Sequence, residues 1–200
     1  MSRAFLSKYL LWLLLAAPAA LLLLGFLTRP EHVYPGDYLH PTGEWSARLL
    51  ILALVLTPLS QLLPASRIVR WLLRHRRAVG LAAFGYALLH LIFYVLDMET
   101  VENMLAELGA PAIWTGWLAF LCMLAPAMVS SDRAMRTLKA GWKRIQRLAY
   151  PAAVLTLVHW ALVHGGVVGA VANFAPLILL QLIRLIRFLT TRKTPQRSII

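Results

Sequence analysis

The sequence predicts an all-α integral membrane protein: a six-helix bundle with both termini in the cytoplasm. Three observations carry that expectation. Hydrophobic side chains make up 60% of the 200 residues and charged ones 14%, with a mean hydropathy of +0.70; in soluble domains charged residues are about a quarter. Six stretches approach the roughly 20 apolar residues that cross a hydrocarbon core about 30 Å thick. The basic residues gather on one side of those stretches.

The spans are about 9–28, 46–63, 78–96, 111–129, 148–165 and 168–186, and residues 1–200 read as a single transmembrane domain. Pro and Gly clusters mark the span ends. Arg3 and Lys8 ahead of the first stretch resemble a signal peptide, but the apolar run is longer than an h-region, so it reads as a retained span. Asn173, Pro176 and Gln181 interrupt the sixth. Pro176 fits a first helical turn capped by Asn173, where a missing N–H costs little, and packing is expected to cover Gln181.

Orientation follows from Lys and Arg in the short loops. Arg67, Arg70, Arg74, Arg76 and Arg77 fall on the same side as Arg133, Arg136, Lys139, Lys143, Arg144 and Arg147, and with them both termini. Only Arg29 and Arg48 fall towards the other side. Trp12, Trp45, Trp71, Trp114, Trp142 and Trp160 lie near predicted span ends, where interfacial indoles sit.

Several functions are disfavoured. The net charge of +12 lies between apolar runs and forms no basic groove, so the partner it implies is the lipid bilayer and not nucleic acid. A single cysteine, Cys122, permits no internal disulfide and no c-type haem attachment. The absence of a Rossmann fingerprint or soluble domain argues against a self-contained nicotinamide-using reductase. No internal repeat is visible. No acidic residue falls within the spans, which argues against a haem-free transporter.

Ionisable side chains inside a span are costly and point to function. His90 lies in span 3, 14 residues after Arg76, and His159 in span 5, 13 residues after Gln146. At 1.5 Å per residue both stand about 20 Å above the cytoplasmic side, and the two spans run in the same direction. One haem could take both as axial ligands. Zinc fits less well, because it usually needs three or four protein ligands and haem supplies four nitrogens of its own. The alternative, a hydrogen bond from each histidine to a neighbouring helix, stays open on spacing alone. His164 is read as a loop contact, or as a ligand or haem-propionate contact. His32, His40 and His75 are read as solvated surface groups. Arg76 and Arg77 are topology signals, or contacts to propionates or a flavin phosphate.

The chain resembles the MsrQ (YedZ) family, haem-binding membrane subunits within the ferric-reductase-like transmembrane fold. The likeness runs through HPTGEWSAR from His40 to Arg48 and LTPL from Leu56, through RHRRAVGL from Arg74 and YALLHL from Tyr86. It continues in SSDRAM from Ser130, WKRIQRLAY from Trp142 and His159-Trp160. The resemblance implies a multi-pass protein of the bacterial inner membrane that binds haem b, with flavin mononucleotide (FMN) as a candidate further cofactor. It implies an electron-transfer subunit, not a self-contained enzyme, taking electrons from the quinone pool or a flavin reductase. The implied acceptor is a periplasmic molybdenum-containing methionine-sulfoxide reductase subunit. His90 and His159 match haem-ligating histidines of the family, making haem iron the implied metal. Gln146 stands where the family pattern Trp-x-x-Leu-His-Arg has a histidine, so the resemblance offers no ligand there for a second haem. A stand-alone ferric or other metal reductase, with outer loop 29–44 as acceptor site, is the alternative, as is a divergent paralogue with another acceptor.

Overall fold

The computed structural model describes residues 3–28, 34–163 and 166–191. Apart from a 3-10 turn at Pro35–Tyr38, their regular structure is helical: α1 (Arg3–Thr28), α2 (Leu39–Leu62), α3 (Arg67–Arg74), α4 (Arg76–Met98) and α5 (Val101–Glu107), then α6 (Pro111–Met128), α7 (Asp132–Leu138), α8 (Ala140–Gln146), α9 (Ala149–Val163) and α10 (Val167–Thr191). Helices α1, α2, α4, α6 and α10 are long and apolar enough to cross a membrane. The chain is therefore a multi-pass helical membrane protein.

The fifth expected span begins within one residue of its predicted start. It forms α9, which has 15 residues and a length of about 22 Å. Pro151 explains where α9 starts: in a continuous helix its ring would meet the carbonyl of Arg147, four residues back, so α8 ends and a new helix begins with the proline in its first turn. The sixth expected span is longer than the sequence suggested, and the capping reading is corrected. Pro176 lies inside α10, and Asn173 is not a cap: its Nδ2 donates to the Gly169 carbonyl at 3.0 Å. Prolines persist within membrane helices because neighbouring groups re-satisfy the freed backbone. Packing does cover Gln181, whose Nε2 is buried without a hydrogen-bond partner among the described residues.

Two helix pairs form the centre, α2 against α4 and α6 against α9, with α10 laid across α2 and α9. Small residues make these approaches close. Ala47, Ala83, Ala119, Ala152 and Ala153 are buried, and Ser46 donates to the Ala83 carbonyl at 3.0 Å. In lipid, where tails are as apolar as side chains, such van der Waals fit and interhelical hydrogen bonding hold helices together. Large apolar side chains such as Leu13 (67% exposed) and Leu21 (70%) face outward.

Helix α1 is attached to this centre by a specific device. Pro18 removes one N–H from α1 and crowds the carbonyl four residues earlier. One residue further on, the Tyr86 hydroxyl of α4 accepts from the Ala19 N–H at 2.9 Å and donates to the Leu15 carbonyl at 2.9 Å. It bridges two groups that an ideal helix would pair with each other.

The basic loops become short helices at one end. Ser66 and Ser131 cap α3 and α7 by accepting from Val69 and Ala134 N–H groups, as N-cap serines do. Arg77 and Asp132 join α4 to α7 at 2.5 Å. Trp160 is buried and Trp45 stacks on Tyr86 with centroids 6.0 Å apart, because both fill gaps between helices that elsewhere present alanine.

Candidate functional site

His90 on α4 and His159 on α9 meet. Their ring centroids are 6.2 Å apart and their planes lie at 83°. Each ring is held the same way: Nδ1 of His90 lies 2.9 Å from the Leu39 carbonyl of α2, and Nδ1 of His159 lies 2.7 Å from the Ala112 carbonyl of α6. A carbonyl oxygen only accepts, so both Nδ1 atoms carry the proton, and Nε2 is the nitrogen through which a metal would be ligated. Metal-bound histidines regularly donate their other ring N–H in this manner.

The surroundings of the rings are largely apolar. Both rings line a cavity walled by Leu91, Ile113, Phe120, Met123 and Trp160, with His40, Glu44 and Tyr94 also on its wall. Two imidazoles ligating one iron from opposite sides, with metal–nitrogen bonds of about 2 Å and about 1.1 Å from nitrogen to ring centre, stand about 6 Å apart. The observed separation fits. No group of three or more His, Cys, Asp or Glu side chains converges among the described residues, so the donor set suits a metal that brings its remaining ligands with it.

Two glycines make room for the rings. A Cβ on Gly43 would stand 3.2 Å from Nδ1 of His90, and one on Gly116 would stand 2.8 Å from Cε1 of His159. Sequence reading passed over both, although Thr-Gly recurs at Thr42-Gly43 and Thr115-Gly116. His40 is exposed, as expected, with 52% of its side chain accessible; it also borders the cavity and stands 3.6 Å from Glu44, because the 3-10 turn delivers it to the start of α2.

Arg76, Arg77 and Gln146 do not reach the histidines. They line a second cavity at the basic end, with Lys143, Arg147, Tyr150 and Arg184. Arg76 donates to Thr57 Oγ1 at 2.6 Å, and Gln146 Nε2 donates to the Pro126 carbonyl at 3.1 Å. Met123 lies on the walls of both cavities. His164 lies outside the described residues.

Comparison with known proteins identifies the family. The family model described as "Ferric reductase like transmembrane component" matches residues 42–157. A protein-methionine-sulfoxide reductase heme-binding subunit MsrQ of Xanthomonas axonopodis is 39% identical over 128 residues, 62% of this chain and 57% of that protein. The protein of the same name in Xanthomonas campestris (strain 8004) is 35% identical over 162 residues, 79% of this chain and 72% of the relative. Another, from Caulobacter vibrioides, is 36% identical over 158 residues, 76% and 73% of the two chains. The match thus spans little more than half of the Xanthomonas axonopodis protein's length. No solved structure matches.

Proposed function

The chain belongs to the MsrQ family of ferric-reductase-like transmembrane proteins, and from that membership we propose that it is a haem-binding electron-transfer subunit of a methionine-sulfoxide reductase system. In this reading His90 and His159 hold one haem b through Nε2. The observation that carries it is the approach of the two rings to 6.2 Å with each Nδ1 set on a helix carbonyl. When bound, haem supplies one-electron redox chemistry, its potential set by the axial ligands, their hydrogen bonds and burial. The chain's own part is ligation and exclusion of water. Leu91, Phe120 and Trp160 line the cavity, and the carbonyl bonds to Nδ1 raise the basicity of each imidazole.

The topology belongs to the same proposal: six membrane crossings, with the 15-residue α9 as one of them, and both termini in the cytoplasm of a bacterial inner membrane. The basic cavity would then face the cytoplasm, and its Arg76, Arg77, Lys143 and Arg147 suit the phosphate of FMN. Quinol or a flavin reductase is the donor and a periplasmic molybdenum-containing reductase the acceptor. Purified protein supplied with haem is expected to show bis-imidazole spectra, oxidised and dithionite-reduced, that vanish in His90→Ala and His159→Ala. A colourless wild-type preparation refutes the assignment.

A stand-alone metal reductase is the second reading, favoured by His40 and Glu44 on the cavity wall. Reduction of ferric chelates by dithionite-loaded protein, abolished in the His40→Ala/Glu44→Ala double variant, would select it.

A further inference from the structure

The two histidines are held by one motif used twice. In α2, the accepting carbonyl at Leu39 is followed by Thr42 three residues on and Gly43 four residues on; in α6, Ala112 is followed at the same offsets by Thr115 and Gly116. Thr42 Oγ1 donates to the Tyr38 and Leu39 carbonyls at 2.5 and 3.1 Å, and Thr115 Oγ1 to those of Pro111 and Ala112 at 2.7 and 2.9 Å. Both threonines are buried, at 0% and 3% exposure. The partner helices match as well, since α2 packs chiefly on α4 and α6 chiefly on α9, and each of those carries one histidine. The similarity is local to these steps and to the packing of the two helix pairs.

Helix geometry explains the offsets. Side chains lean towards the helix N-terminus, so the Cβ of residue i+4 stands over the carbonyl of residue i. A ring that approaches carbonyl i from the neighbouring helix must occupy that space, and only glycine leaves it open. The threonine at i+3 keeps the wall small and turns its hydroxyl onto the same carbonyl, and in α2 the Thr42 oxygen also lies 3.4 Å from Nδ1 of His90.

We infer that Thr42-Gly43 and Thr115-Gly116 are paired positioning seats that set the tautomer and the rotation of the two imidazoles towards a shared metal. The inference rests on the haem reading for its purpose, but the seats concern the chain alone. The two are unequal. A Cβ at position 43 meets its ring at 3.2 Å, whereas one at position 116 meets Cε1 at 2.8 Å and Nδ1 at 2.9 Å, so Gly116→Ala must rotate or displace His159 while Gly43→Ala needs only a small shift.

The test uses the full chain in detergent. A ¹⁵N-histidine NMR spectrum of haem-free protein is expected to show Nδ1–H tautomers for His90 and His159, with the His159 signal altered in Gly116→Ala. On haem-loaded protein, Gly116→Ala is expected to weaken haem retention about 10- to 100-fold, the usual cost of disturbing an outer-shell partner, and to change the low-spin electron paramagnetic resonance spectrum. Gly43→Ala should change the same readouts less. Thr115→Val, which keeps the shape and removes only the hydroxyl, should shift the potential without lowering haem content; it keeps the test decisive if Gly116→Ala does not fold. Nε2–H tautomers in the haem-free protein overturn the seats. So do both alanine variants and Thr115→Val with wild-type retention, resonance spectrum and potential. Wild-type protein that binds no haem but shows Nδ1–H histidines, with His159 perturbed by Gly116→Ala, refutes the haem reading and leaves the seats standing.

Discussion

Replacing Tyr86 by Phe tests how α1 is held to the bundle. The substitution keeps the ring that stacks on Trp45 and removes only the oxygen that serves Ala19 N–H and Leu15 carbonyl, both at 2.9 Å. Each backbone group stranded in an apolar environment costs about 1–3 kcal/mol, and in lipid no water replaces the lost partner. Measured interhelical hydrogen bonds in membranes average nearer 0.6 kcal/mol, because the unfolded chain also finds partners. Weighing these, Tyr86→Phe should destabilise by about 2 kcal/mol. Pro18 supplies the control. With Pro18→Ala the crowding of the preceding turn is relieved, Ala19 can bond Leu15 directly, and the hydroxyl becomes dispensable. Unfolding of wild type, both single variants and the double variant in mixed micelles, followed by circular dichroism and tryptophan fluorescence, gives the coupling. The penalty of Tyr86→Phe should fall below about 1 kcal/mol in the Pro18→Ala background. An equal penalty in both backgrounds would refute the bridging role.

Three further outcomes follow from the same structure. Ser46→Ala removes the bond to the Ala83 carbonyl between α2 and α4 and should cost about 0.6–1.7 kcal/mol in the same unfolding assay. Asp132→Asn breaks the ion pair with Arg77, whose members are 62% and 40% exposed; exposed pairs contribute about 0–1 kcal/mol, so haem content should not change and stability should fall by less than that. If the basic cavity takes the phosphate of FMN, Arg76→Gln/Lys143→Gln should lower flavin binding in a fluorescence titration while leaving the spectrum of the His90–His159 haem intact; unchanged flavin affinity would exclude those two side chains.

The membrane class, the positions of the main helices and the meeting of His90 with His159 were legible in the chain, because they rest on local quantities: apolar run length and rise per residue along a helix. The helical course of α10 through Pro176 was not. A proline either starts a helix or is absorbed within one according to what neighbouring segments can re-satisfy, and that is a property of the packed bundle. The same holds for the Tyr86 bridge, which links residues 67 and 71 positions apart.

The site shows the division most clearly. Sequence alone determined which two imidazoles to expect at one level, since rise per residue is the same along every helix. Tertiary structure decided that each ring takes a carbonyl of a different neighbouring helix, that Gly43 and Gly116 lie under them, and that Arg76, Arg77 and Gln146 line a separate cavity. Spacing along a helix specifies height, whereas rotation about the helix axis and the approach of a second helix depend on where small residues allow two backbones to come close.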